Sequence, residues 1–111
     1  MAVVTGDPSK PAMFTIQLAM PAGYKIPPHS HPTDEHLTVK KGTFLVGMGD
    51  MLDEKQTKVL APGDSGTIKA EMHHFAIAKG SVTVEVTAMG PFAMTYVRPE
   101  DDPQHARPAG Y

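Results

Sequence analysis

Three of the six histidines and one glutamate lie within the eight residues 29–36. In a β-strand, residues i and i+2 project to the same face, so His29 and His31 are predicted to point the same way, with Cα atoms roughly 6.5–7 Å apart. Two imidazoles at that spacing can bind one ion. The pattern favours a site for one divalent transition metal, because imidazole and carboxylate together suit Fe, Mn, Ni, Cu or Zn.

The neighbouring glutamate extends this candidate site. Strand alternation places Glu35 on one face with Leu37 and Val39, and it places His36 on the other face. The apolar companions mark the face of Glu35 as the inward one. A carboxylate buried there is costly unless it is paired or bound to a cation, so Glu35 is predicted to be a metal ligand and His36 to face solvent.

A further ligand is expected from KAEMHHFAIA, residues 69–78. Alternation places His73 with the apolar Phe75 and Ile77, and it places His74 with two alanines. The pattern alone therefore mildly favours His73, and both histidines remain candidates. The remaining histidine, His105, is predicted to be an ordinary core or surface residue that binds no metal.

Composition limits the partners of the protein. The chain has 111 residues, no cysteine, 41% hydrophobic residues and a formal net charge of -2. These values predict one globular domain, give no field that would attract nucleic acid or an anionic membrane, and exclude thiolate ligands. No apolar run is long enough to span a membrane. A cytoplasmic location is expected for the chain as given, or a periplasmic one if an export signal preceded Met1.

Short strands are the elements that must position these side chains. Eleven prolines and ten glycines divide the chain into strand-length segments, and apolar residues alternate over residues 14–20 and 82–86. A hairpin is predicted over residues 35–48, turning at Lys40-Lys41-Gly42, and a short helix over residues 50–55 with Asp50 as its cap. Further strands are predicted near residues 24–31, 57–60, 66–70, 74–78 and 92–98. The sequence therefore predicts an all-β, antiparallel sandwich or barrel over residues 1–98 and a polar, Pro-rich tail over residues 99–111.

The histidine stretch resembles the first motif of the cupin superfamily, G(x)5HxH(x)3–4E(x)6G. Gly23, His29, His31, Glu35 and Gly42 stand at the matching spacings, and no position is missing.

The second cupin motif, G(x)5PxG(x)2H(x)3N, resembles residues 63–78 less closely. Lys69 stands where proline is usual, Glu71 where glycine is usual and Ala78 where asparagine is usual. On that spacing the motif histidine is His74. The resemblance therefore implies His29, His31, Glu35 and His74 as the metal ligands, with His73 as the alternative.

The wider chain is similar to small single-domain cupins without a firmly assigned reaction. The resemblance implies a jelly-roll β-barrel, one divalent metal near its wider mouth, and a homodimer. Its pocket wall is expected to include one face or the other of residues 44–48, together with Leu37, Val39 and Met72.

Two functions follow from such a site. The first is a small metal-dependent enzyme, a dioxygenase or isomerase of a small chelating organic substrate. The second is a small-molecule binding or sensing module that catalyses nothing. No second acid or base is tied to the site by spacing, and Tyr24 is only a candidate, so no catalytic residue is assigned.

Overall fold

The computed structural model describes residues 2–101, and this part of the chain contains eight antiparallel strands and no α-helix. The predicted all-β antiparallel jelly roll is confirmed. The strands are β1 (Ala2–Thr5), β2 (Met13–Met20), β3 (Lys25–Ser30), β4 (Glu35–Met48), β5 (Thr57–Leu60), β6 (Ser65–Ile68), β7 (His74–Met89) and β8 (Thr95–Tyr96). No helix within residues 2–101 is long and apolar enough to cross a membrane.

Strands β4 and β7 are long, and they pair with each other along almost their whole length. The hairpin predicted over residues 35–48 is wrong, because Lys40-Lys41-Gly42 does not reverse the chain. Gly42 has φ +80°, and the register between the strands shifts on both sides of Lys41. A positive φ serves a β-bulge as well as a turn, so the glycine signal could not distinguish the two.

The β4–β7 ribbon divides the sheet into two halves that face each other. The first half of β4 pairs with β6 and its second half with β5. The second half of β7 pairs with β2, which pairs with β1, whereas its first half pairs with β3, which pairs with β8. One hydrophobic core joins the two halves, and it includes Phe14 and Ile16 from β2 with Phe44 from β4 and Ala76 from β7. The alternation in β2 and β7 thus positions the core as predicted.

Two smaller elements differ from the predictions. The helix predicted over residues 50–55 is a 3-10 turn, Glu54–Gln56, and its cap is Asp53, whose carboxylate accepts a hydrogen bond from the Lys55 backbone at 3.0 Å. Of the strand predicted over residues 92–98, only Thr95–Tyr96 forms. In the predicted tail, residues 99–101 form a second 3-10 turn, and residues 102–111, including His105, lie outside the described residues.

The outer face of the ribbon is also buried where β4 meets the start of β7. Leu45 lies opposite Ile77, and Gly47 lies opposite Phe75, whose side chain is fully buried. A Cβ atom added at Gly47 would overlap the Phe75 ring. Glycine is therefore required at this position by packing, because a buried ring has little room to move.

Replacement of Gly47 by alanine is expected to destabilise the fold by about 1–3 kcal/mol, the usual cost of overpacking a core. Urea unfolding followed by circular dichroism measures this change. Gly66→Ala is the matched control, because a Cβ atom at Gly66, also in a strand, meets no atom within 4 Å. Equal stability of the two variants would contradict the packing argument.

Candidate metal centre

Four buried polar residues lie together at one end of the molecule, where β3, β4 and β7 meet. His29 in β3 lies directly opposite His74, the first residue of β7. His31 follows the end of β3, and Glu35 is the first residue of β4. The relative exposure of these four residues is between 3% and 7%, which is unusual for charged or titratable groups and calls for a compensating interaction.

The three histidines form a compact group. One ring nitrogen from each of His29, His31 and His74 lies within 4.8 Å of the others. The Glu35 carboxylate lies beside this group, with one oxygen 3.1 Å from His31 Nε2 and the other 3.9 Å from His74 Nε2. The fold thus brings together all four residues that were predicted as ligands, and their role in holding a metal remains a prediction.

Backbone carbonyls orient all three rings. The Nδ1 atoms of His29, His31 and His74 lie 2.7, 2.8 and 3.0 Å from carbonyl oxygens. A carbonyl oxygen only accepts hydrogen bonds, so each Nδ1 must carry the proton and donate it. In a neutral ring, Nε2 then has a free lone pair. The three accepting carbonyls are those of Pro27, Ala93 and Met72.

Burial also favours the neutral state of these rings. It lowers the pKa of His29 to about 3, with a further contribution from the nearby His74. Burial likewise lowers the pKa of His74. At neutral pH both rings are therefore uncharged, and neutral imidazole is the form that binds a metal.

The close contact between His31 and Glu35 is stable only if a proton or a metal ion lies between the two groups. His31 donates through Nδ1 to Ala93, so its Nε2 in the neutral ring is an acceptor, and the carboxylate oxygen 3.1 Å away is an acceptor when ionised. Without a metal, one proton must be shared there. Burial raises the pKa of Glu35, which makes the carboxyl group a suitable holder of that proton. A divalent ion would replace the proton, so the donor set fits a metal.

The two remaining described histidines lie outside this cluster. His73 is exposed, and its Nδ1 contacts the Asp50 carboxylate. The preference of alternation for His73 is wrong because β7 begins at His74, and His73 belongs to the preceding turn. His36 is exposed as predicted, with Nδ1 3.2 Å from the Thr67 hydroxyl.

The turn before His74 forms despite its departures from the second cupin motif. Glu71, at the position where glycine is usual, has φ +66° and is the only non-glycine residue with positive φ in the described chain. Its backbone N–H donates to the His31 carbonyl at 2.8 Å, and Asp34 accepts from the Ala70 backbone at 2.7 Å. These two bonds tie the turn to the loop that carries His31, so the left-handed conformation is kept without glycine.

A cavity of about 60 Å³ lies against the four residues. Among the predicted wall residues, Leu37, Phe44 and Val46 line it. Val39 and Leu45 are buried elsewhere, whereas Met48 and Met72 are about half exposed and do not line it. Tyr24, the candidate acid or base, is also about half exposed and does not line the cavity. The other lining residues, which the sequence patterns did not identify, are Leu18, Ile26, Ile68, Ala76, Val84, Val86, Phe92 and Met94.

The segment after β7 closes one side of the site. The Phe92 ring stacks on His31 with centroids 5.3 Å apart, and Ala93 supplies the carbonyl that orients the same ring. Phe92 also contacts Phe14 edge to face at 5.6 Å, and its backbone N–H donates to the Pro8 carbonyl. No sequence signal could have identified the carbonyl groups, because every residue has one.

Solved structures with the same fold include proteins of different activities. An oxalate oxidase is 25% identical, with a TM-score of 0.65 over 80% of this chain and 47% of its own. The DMSP lyase DddQ from Ruegeria pomeroyi DSS-3 is 22% identical, with a TM-score of 0.69 over 82% of this chain and 46% of its own. This chain thus spans about half the length of those two proteins.

A third solved structure matches more of its own length. It is a cupin superfamily protein from Desulfitobacterium hafniense DCB-2, 16% identical, with a TM-score of 0.65 over 80% of this chain and 73% of its own. No curated protein matches the sequence. The family model described as "Cupin domain" matches residues 16–90, which is more than half of the chain and includes all four residues of the cluster. The chain therefore belongs to the cupin family.

Proposed function

We propose that this protein is a small metal-dependent enzyme whose metal is held by His29, His31, His74 and Glu35. The observation that carries the proposal is the orientation of the three buried rings by backbone carbonyls, which leaves three Nε2 lone pairs beside one carboxylate. Hydrogen bonds of this kind on the non-ligating nitrogen are typical of histidines that bind metals.

The surroundings of the cluster support a small substrate with a chelating group. Within the described residues, the cavity is lined only by apolar side chains apart from the cluster itself. A divalent transition metal bound there would supply Lewis-acid activation and, if redox-active, electron transfer. The chain itself would exclude water with its apolar wall, orient the histidine ligands through the carbonyls, and supply an anionic ligand at Glu35.

The reaction class that fits is oxidation or isomerisation of a small chelating organic acid. A second oxalate oxidase structure with the same fold, solved with the substrate analogue glycolate, supports a small carboxylate as the ligand. It is 26% identical over about half of its own length. A homodimer, as the resemblance implies, is a further part of the proposal, and sedimentation velocity would test it.

A binding module without catalysis is the second candidate. One observation favours it: apart from the four residues of the cluster, no acid or base from the described chain lines the cavity. Because Glu35 is proposed as a metal ligand, proton transfer during a reaction would then depend on the substrate itself.

Loss of a cluster histidine is expected to remove the metal. Purified protein should contain about one equivalent of a transition metal by elemental analysis, and His74→Ala should lower its affinity by at least about tenfold. Glu35→Gln should keep the fold and weaken binding, because it removes the anionic ligand but retains the shape. The control is His73→Ala, which changes the neighbouring exposed histidine and should retain the metal. Equal metal content in His73→Ala and His74→Ala after dialysis would refute the ligand assignment.

Turnover distinguishes the enzyme from the binding module. The protein loaded anaerobically with Fe(II) or Mn(II) is expected to convert small dicarbonyl or hydroxy acids, with O2 uptake or product formation continuing beyond one equivalent. His31→Ala should lower this rate by at least about a hundredfold, because truncating a ligand disturbs the whole coordination set. Tight binding without multiple turnovers, for every metal and acid tried, would favour the binding module instead.

In the metal-free protein, His29 is expected to lower the stability as the pH falls below about 6.5. The pKa of His29 in the folded protein, about 3, lies below its usual value of 6.5, so between these values the unfolded chain binds a proton that the folded chain does not. The free energy of unfolding should therefore fall by about 1 kcal/mol per pH unit from this residue alone. Urea unfolding from pH 7.5 to 4.5 measures the slope. His29→Gln should flatten it, whereas His36→Gln, at an exposed position, should not. If the pH dependence of the unfolding free energy is the same in His29→Gln as in the unaltered protein, His29 is not its source.

A further inference from the structure

A second and larger cavity lies next to the candidate metal centre. Its volume is about 270 Å³, compared with about 60 Å³ for the cavity at the histidines. We call it the seam groove, because it lies where β5 and β6, which both pair with β4, do not pair with each other. It is lined by Leu37, Val46, Met48, Lys58, Leu60, Ser65, Gly66, Thr67 and Ile68.

The seam groove adjoins the cavity at the histidines, and the two share part of their walls. Leu37, Val46 and Ile68 line both cavities. Ile68 is also the cross-strand partner of Glu35, so one end of the groove begins beside the carboxylate. A space of about 60 Å³ holds only a few atoms. A larger ligand anchored at the histidines would therefore have to extend past these three apolar side chains.

Two residues of the groove lack the apolar side chain that is usual on the inner face of a sheet. Gly66 lies opposite Leu37, and a side chain added there would meet no atom within 4 Å. Lys58 lies opposite Val46, on the same face of β5 as the buried Leu60, and it is the one charged residue in the groove lining among the described residues. Its ammonium makes no hydrogen bond or ion pair within residues 2–101.

We propose that the seam groove binds the distal part of the ligand, and that this ligand is an extended organic acid with an apolar middle and a second anionic group at Lys58. The inference rests on the proposed function, because the other end of the acid lies at the histidine cluster. Leu37, Val46 and Ile68 contact the apolar middle, and the missing side chain at Gly66 leaves room for it. Small residues in a strand often mark such a close approach of a ligand.

Lys58 could have either of two roles in the groove. An inward lysine on an edge strand also protects the edge against pairing with another chain, a role that needs no ligand. The two roles differ in what they predict. A ligand contact makes Lys58 discriminate between acids with one and with two charged ends, whereas edge protection does not.

The experiment measures binding of three probe acids to the full chain loaded with Zn(II), a metal without redox chemistry, so that no probe is consumed. Isothermal titration calorimetry would compare malonate, which is short, with octanoate and octanedioate, which are long. Octanedioate should bind more tightly than octanoate by about 2- to 5-fold, as expected for one exposed charge pair. Lys58→Met should abolish that preference, and Lys40→Met, at an exposed lysine outside the groove, should retain it.

Filling the groove tests the shape. Gly66→Leu should weaken the binding of octanoate and octanedioate by at least about tenfold, which corresponds to excluding about two buried methylene groups. Gly66→Ala should have a smaller effect. Malonate binding and zinc content should remain unchanged in both variants. Thermal unfolding checks that the variants are folded.

The outcomes separate the two proposals. If zinc or malonate fails to bind the unaltered protein, the proposed function is wrong. If both bind normally but the long acids bind Gly66→Leu as tightly as the unaltered protein, the groove proposal is overturned and the metal centre is not. An octanedioate preference that survives Lys58→Met would likewise overturn the role of Lys58.

Discussion

The hydrogen bonds from three histidine Nδ1 atoms to backbone carbonyls are the interactions on which the site depends. Each bond fixes the tautomer of one ring and turns its other nitrogen toward the cluster. Without them, the buried rings could rotate or exchange tautomers, and the three Nε2 lone pairs would no longer point toward one position. The accepting carbonyls come from β3, from the turn before β7 and from the segment after β7, so three separate parts of the chain must be in place at once.

The bent ribbon of β4 and β7 makes this arrangement possible. Its bulge around Lys41 lets both strands continue from one half of the sheet to the other, so Glu35 and His74 belong to different halves yet lie at the same end of the molecule. The same bend leaves β5 and β6 on separate halves, and the seam groove opens between them. The candidate metal centre and the groove are therefore two consequences of one feature of the backbone.

Burial and a bound ion have opposite effects on the charge of Glu35. Burial lowers the pKa of His29 and His74 and raises that of Glu35, so the metal-free fold favours the neutral forms of these three groups. A divalent ion reverses this preference for the carboxylate, because it provides the positive charge that the anionic form needs. The apolar wall strengthens that effect by excluding water. Binding of an ion at such a site would also stabilise the fold, because metal binding and folding are linked.

The sequence by itself determined the all-β class, the inward direction of Glu35 and the shared direction of His29 and His31, because strand alternation acts over two or three residues. It also supplied the family motifs that selected His74 over His73. Only the tertiary structure decided that residues 35–48 form one bent strand, since a positive φ at Gly42 suits a bulge as well as a turn. The positions of the orienting carbonyls, of Phe92 and of Lys58 in the groove lining likewise depend on contacts between distant segments. Local patterns carry no information about such contacts, because the partner is chosen by the fold as a whole.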